Sequence, residues 1–200
     1  MGVDHVVSVY LHSAQIEGFF KTQILVDNLE AFPIGAVYFS EQTLGEPIVV
    51  APRSAAVNRA AKFRDTLCFL PLAFMIRKHQ LDKHQPGELV GDVNGKDCIV
   101  VDTLVDTSAT LVKTAKVLKA NGTKTVSAFA VHARYSADDL QTLENCKELD
   151  KLVTTNTIPM HFKANEQSSK IVTLSVAPFI AEVISCIHTK SSILQVSKTK

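Results

Sequence analysis

The chain has no tryptophan, few aromatic residues, four cysteines and almost no excess of charge of either sign. Each shortage excludes something. Lysine and arginine number 21 against 20 acids, so the formal charge is only +1 and no broad field draws in nucleic acid or an anionic membrane surface. Any anion bound here must be captured locally. Cys68, Cys98, Cys146 and Cys186 form no C-x-x-C pair, which argues against a disulfide framework or a cysteine-held metal and fits reduced, buried thiols. The longest apolar run, Leu67 to Ile76, holds ten residues and a proline, well short of the roughly 20 that cross a bilayer. Residues 1–20 show no basic stretch followed by an apolar core, so no secretory leader is expected and the expected address is cytoplasmic.

What is present is an ordinary globular composition, 46% apolar and 20% charged. Short β-branched runs alternate with helical patterns, which predicts an α/β fold with a parallel sheet and crossover helices. Strands are expected at His5–Leu11, Ile48–Ala51, Phe69–Met75, Asp97–Thr103, Thr125–Val131, Lys151–Thr155 and Lys170–Leu174, and helices at Ser54–Leu67, Ser108–Ala120, Ala137–Lys147 and Ala181–His188. Gln80–Gly95 reads as a long loop, either functional or a plain connector. Residues 1–34 carry one strand and one short helix, too little for a core, and are expected to be the remnant of an N-terminal domain ahead of a main domain at 35–200.

The segment Cys98 to Gly122 carries the most chemistry: a buried strand, a turn of small hydroxyl residues, and an amphipathic helix closed by Asn121-Gly122. Unpaired amides and the positive end of the dipole at a helix start attract a phosphate. Thr107, Ser108 and Thr110 add hydroxyl donors, Ala109 leaves room for close approach, and Asp102 ends the strand where open α/β sheets bind ligands. The plainer reading is that Asp106, Thr107 or Ser108 only caps the helix.

Asp102-Thr-Leu-Val-Asp106-Thr-Ser-Ala-Thr110 resembles the phosphoribosyl pyrophosphate loop of type I phosphoribosyltransferases. Tyr10-Leu-His-Ser-Ala-Gln-Ile-Glu-Gly-Phe-Phe20, Gly91-Asp-Val-Asn-Gly95, Thr155-Asn-Thr-Ile-Pro159 and Ala181-Glu-Val resemble, in order, the C-terminal part of the ribose-phosphate pyrophosphokinases. The resemblance implies a phosphoribosyltransferase-like fold and the transfer of a diphosphoryl group from ATP to ribose 5-phosphate with Mg2+, a chemistry of electrostatic positioning. It implies that Asp106, Thr107, Ser108, Ala109 and Thr110 hold the 5-phosphate and that Asp102 and Thr103 face the ribose. It further implies that His12 serves the ATP and metal site, that Arg77 and His79 stand in the catalytic loop, and that synthetase subunits assemble into homo- or hetero-oligomers.

The sequence also departs from that pattern. Thr103 replaces the second loop acid, Ala109 the loop glycine, Tyr10 the aspartate before the histidine, and Ala51-Pro-Arg53-Ser-Ala-Ala56 a turn whose aspartate serves the metal. Arginine there reverses the charge of an oxygen-rich magnesium site. Arg59, Lys62, Arg64, Lys113, Lys116 and Lys119 are expected to be solvated helix faces. Three functions therefore stand open: a ribose-phosphate diphosphokinase or a subunit of one, a non-catalytic synthetase-associated partner (a pseudoenzyme), and a simple ribose-phosphate binding module.

Overall fold

The computed structural model describes residues 2–76, 87–159, 168–193 and 196. Two sheets are present. Strands β1 (His5–Val9) and β2 (Leu25–Leu29) pair in parallel as a small sheet, with a 3-10 segment, Ala14–Phe19, between them. The main sheet uses β3 (Pro47–Ala51), β4 (Leu72–Ile76), β5 (Glu88–Val90), β6 (Asp97–Val105), β7 (Thr125–Ala133), β8 (Lys151–Thr155) and β9 (Ile171–Leu174), in the order β5-β4-β3-β6-β7-β8-β9. Every pairing in it is parallel except β4 with β5.

Helices cover both faces, as the all-apolar strands demand. Helices α1 (Phe32–Ser40) and α2 (Val57–Thr66) sit on one side, where Phe32, Phe39 and Phe63 pack with Val49, Ile99, Val101, Phe129 and Val131. On the other side α3 (Ser108–Ala120) and α4 (Ala137–Asn145) bring Leu111, Leu118, Leu140 and Leu143 against Val50, Val100, Ala128 and Leu152. Neighbouring residues such as Val49 and Val50, both fully buried, point to opposite layers, which is the two-residue period of a strand covered on both faces. A fifth helix, α5 (Ala177–His188), packs Val183 near Leu29 of the small sheet.

Several sequence expectations shift here. Helix α1 lacks a polar stripe, so its periodicity is hidden; Phe32, Gly35, Ala36 and Phe39 are buried, and Pro33 marks its first turn. Strand β2 contains Asp27 and Asn28, poor strand formers held in place by pairing with β1. Part of the expected loop at 80–95 is β5, hydrogen-bonded to β4. The strand expected from Phe69 begins only at Leu72, because Cys68 and Phe69 take left-handed φ values of 56° and 57°. Of the thiols, Cys98 and Cys146 are buried, whereas Cys68 is exposed and Cys186 intermediate.

This topology places a site. From β3 the chain moves outward to β4 and β5, then returns to β6 on the other side of β3 and proceeds to β7. The reversal opens a crevice beyond the carboxyl ends of β3 and β6, the position at which open α/β sheets bind ligands. Pro52-Arg53 follows β3, and Asp102-Thr103 lies in the C-terminal half of β6.

Candidate functional site

A cleft of about 240 Å3 lies at that reversal, lined by His12, Arg53, Asp102, Asp106, Thr107 and Thr110 over an apolar floor that includes Val100, Leu111 and Phe129. One wall is the turn into α3. Thr107 is the N-cap residue, with extended φ −137° and ψ 148°, but its side chain makes no capping bond. A contrast within the same chain is instructive. At α4 the Ser136 hydroxyl accepts from the Asp139 amide while the Asp139 carboxylate accepts from Ser136, a complete capping box. Helix α3 has no such closure from Thr107, so the capping reading does not use up this turn.

One amide there is already taken. Asp139 Oδ1 accepts from both the Ser108 amide, at 2.9 Å, and the Ser108 hydroxyl, at 2.8 Å. Those bonds, the Ser108 amide foremost, hold the Asp139 carboxyl down to about 2. Ser108 is buried. Of the five residues expected to hold a phosphate, Asp106, Thr107 and Thr110 therefore face the cleft, and Ser108 is turned toward α4.

The opposite wall holds the main departure from the expected site. Arg53 grips Asp102 with two prongs, Nη1 to Oδ2 at 2.9 Å and Nη2 to Oδ1 at 3.0 Å. Asp102 Oδ1 also accepts from the Thr103 amide at 2.8 Å and lies 3.7 Å from Arg59 Nη1. Arg59 in turn donates to Thr103 Oγ1 at 3.3 Å. It is not a solvated helix face as expected: the helix start at Val57 swings it back over the strand ends, beside the buried Ala56 and Ala60. The expectation does fit Lys62 and Arg64, whose partners Glu30 and Asp65 lie at the surface.

His12 lines the cleft with Nδ1 3.0 Å from Thr103 Oγ1. The turn that carries it is fixed from behind. His132 Nε2 lies 2.8 Å from the Tyr10 carbonyl oxygen and Nδ1 2.7 Å from Thr157 Oγ1. Tyr10 adopts φ 55° and packs its ring against that of Phe32, centroids 4.8 Å apart and tilted by 54°, and burial pushes its phenol up to about 12. An aromatic thus packs where a free carboxylate was the expected pattern. Arg77 and His79 lie outside the described residues.

Magnesium fits this donor set poorly. Both oxygens of Asp102 are committed to Arg53, Thr103 and Arg59, His12 Nδ1 is committed to Thr103, and guanidinium replaces the carboxylate expected after β3. Magnesium asks for oxygen ligands in an octahedral set. Among the described residues no group of three or more His, Cys, Asp or Glu side chains is placed to hold a metal ion.

A larger cleft, about 570 Å3, lies between β2 and the C-terminal segment, lined by Asp27, Glu30, Phe179, Ile193 and Val196 among others. Size does not make it the anion site. Its carboxylates are engaged, Asp27 with His5 and Glu30 with Lys62, and among the described residues its lining offers no lysine or arginine to a phosphate.

A largely parallel sheet with a hydroxyl-rich strand-to-helix turn at its order reversal is the architecture of a phosphoribosyltransferase-fold protein. The phosphoribosyl synthetase-associated domain matches residues 70–198, and the chain belongs to that family. It is 36% identical to a ribose-phosphate pyrophosphokinase of Wolinella succinogenes over 96% of this chain and 60% of that protein. It is 39% identical to ribose-phosphate pyrophosphokinase C of Dictyostelium discoideum, over 95% of this chain and 58% of that one. The phosphoribosylpyrophosphate synthetase of Mycobacterium smegmatis superposes with a TM-score of 0.83 at 32% identity, over 95% of this chain and 60% of that structure. The chain thus spans about 60% of the length of such relatives. Among the described residues no helix is long and apolar enough to cross a membrane.

Proposed function

We propose that this chain is an impaired, non-catalytic member of the ribose-phosphate diphosphokinase group that seats ribose 5-phosphate and acts in association with synthetase subunits. The reading rests on the two-pronged Arg53–Asp102 pair. Diphosphoryl transfer from ATP needs the charge on the moving group neutralised by metal ions that coordinate its oxygens directly. A guanidinium supplies charge and hydrogen bonds but no coordination site. The same pair occupies the carboxylate that would accept from the ribose hydroxyls, and a charge-assisted, two-bond contact of this kind is among the stronger ones in proteins. Seating is supported by the other wall, where the Thr107 and Thr110 hydroxyls line the cleft and the start of α3 supplies amides and a positive dipole end.

In this reading ATP is no substrate of the chain alone and magnesium is not a resident cofactor. The assembly partner is a complete synthetase, as the shared family implies. The test is AMP release from ATP and ribose 5-phosphate, measured on this chain alone and on a mixture with a complete relative. The expected result is none from the chain alone, a raised melting temperature with ribose 5-phosphate, and altered turnover of the relative in the mixture. Sustained AMP release by the chain alone sinks the proposal.

A further inference from the structure

The exchange of acid for base around Asp102 does more than remove a metal ligand. Two guanidiniums, Arg53 and Arg59, converge on one carboxylate, so the cluster keeps a surplus positive charge at the strand ends. Arg53 commits one proton-bearing face to Asp102 and is 33% exposed along its side chain, on the wall of the same cleft as Thr107 and Thr110. A guanidinium has five N–H donors, and the pair with Asp102 uses one on each terminal nitrogen. The remaining donors are available to a second anion entering from solvent. His12 adds a polar ring on the same side, and Asp106 is the opposing negative charge on the lining.

We infer that Arg53, braced by Asp102 and Arg59, takes the place of a divalent cation, so that the cleft receives a pentose 5-phosphate bearing a diphosphoryl group at its C1 end, without metal. This inference rests on the proposed seating of the 5-phosphate at the start of α3. The two walls divide the ligand's charge: the dipole end and hydroxyls of α3 take the 5-phosphate, and the fixed guanidinium takes the diphosphoryl group. Asp102 acts as the brace. It holds the arginine fork in a single orientation, which lowers the entropy lost when the anion binds.

Calorimetric titration with ribose 5-phosphate and with 5-phosphoribosyl 1-pyrophosphate, each in EDTA and in magnesium, tests this. The wild-type chain should bind the pyrophosphate-bearing ligand about tenfold or more tightly than ribose 5-phosphate in EDTA, since a charge-assisted contact of this kind changes affinity by about that factor. Magnesium should not improve it. R53Q should bring the two ligands to similar affinity while ribose 5-phosphate still binds, and R53D should make binding of the pyrophosphate-bearing ligand depend on magnesium. A preference that survives R53Q, or that appears in the wild type only with magnesium, overturns the inference and leaves the phosphate seat intact. Binding of neither ligand removes both the inference and the seat beneath it. The wild-type comparison between EDTA and magnesium decides the matter even if R53Q fails to fold.

Discussion

His132 and Tyr10, 122 positions apart in the chain, are joined by a contact of 2.8 Å between the imidazole Nε2 and the Tyr10 carbonyl oxygen. Through it the end of β7 fixes the turn that presents His12 to the cleft. Nε2 must carry the proton to donate there, which leaves Nδ1 to accept from Thr157 Oγ1. H132A should therefore cost about 1–2 kcal/mol, the usual cost of a half-buried hydrogen bond left without its partner. Urea denaturation measures it. An unchanged midpoint would mean that the tie does not hold the turn.

Asp139 makes a pH prediction. Its folded value, about 2, lies below its ordinary 3.8, so its contribution to stability is fully present above about pH 4 and is lost as pH falls toward 2. The carboxylate is partly exposed, and after allowance for solvent screening the effect is on the order of 1 kcal/mol. Stability of the wild type should drop between pH 4 and 2 more steeply than that of D139N. Parallel curves for the two proteins would remove Asp139 from this role.

Gly35 is a packing test. A methyl group built there meets the Phe129 ring at 2.5 Å, and Phe129 stacks on Phe63 with centroids 5.3 Å apart. G35A should destabilise by about 1–3 kcal/mol, because a filled core yields only by strain. Since Phe129 also floors the cleft, the substitution should weaken ribose 5-phosphate binding as well. Thermal melts and titration read the two effects separately.

Arg53 is expected to matter for stability beside binding. Asp102 is only 11% exposed along its side chain, and R53A would leave that carboxylate with Arg59 at 3.7 Å as its remaining cationic partner. A loss of about 2–3 kcal/mol is expected, at the lower end for a broken buried pair because Arg59 moves in. Adding D102N should recover much of it, since the orphaned charge disappears. A double variant as unstable as R53A would show that the pair's worth lies elsewhere than in charge.

Much of this was legible beforehand because it is written locally. Strand β6 is built around the apolar run Cys98–Val101, and α3 starts and stops where its hydroxyl turn and Asn121-Gly122 indicate. Elements that depend on distant partners were not legible. Helix α1 is apolar on nearly every side because the small sheet, α2 and β7 surround it, and β2 exists through pairing with β1. At the site, sequence named His12, Arg53, Asp102, Asp106, Thr107 and Thr110, but not the contacts that Arg59 and Asp139 make there. Arg59 looked like a surface residue because helical spacing alone does not tell which face turns toward the strand ends. The Asp139 clamp on Ser108 joins residues 31 positions apart, and only its box with Ser136 carried a local signature, S-x-x-D.

The most direct measurement follows backbone amide resonances during titration with ribose 5-phosphate in EDTA. The account predicts large shifts at Thr107, Ala109 and Thr110, a small one at Ser108, whose amide stays with Asp139, and none around Asp27 to Glu30. Absence of change at the start of α3, or the largest changes at the Asp27–Glu30 cleft, would contradict it.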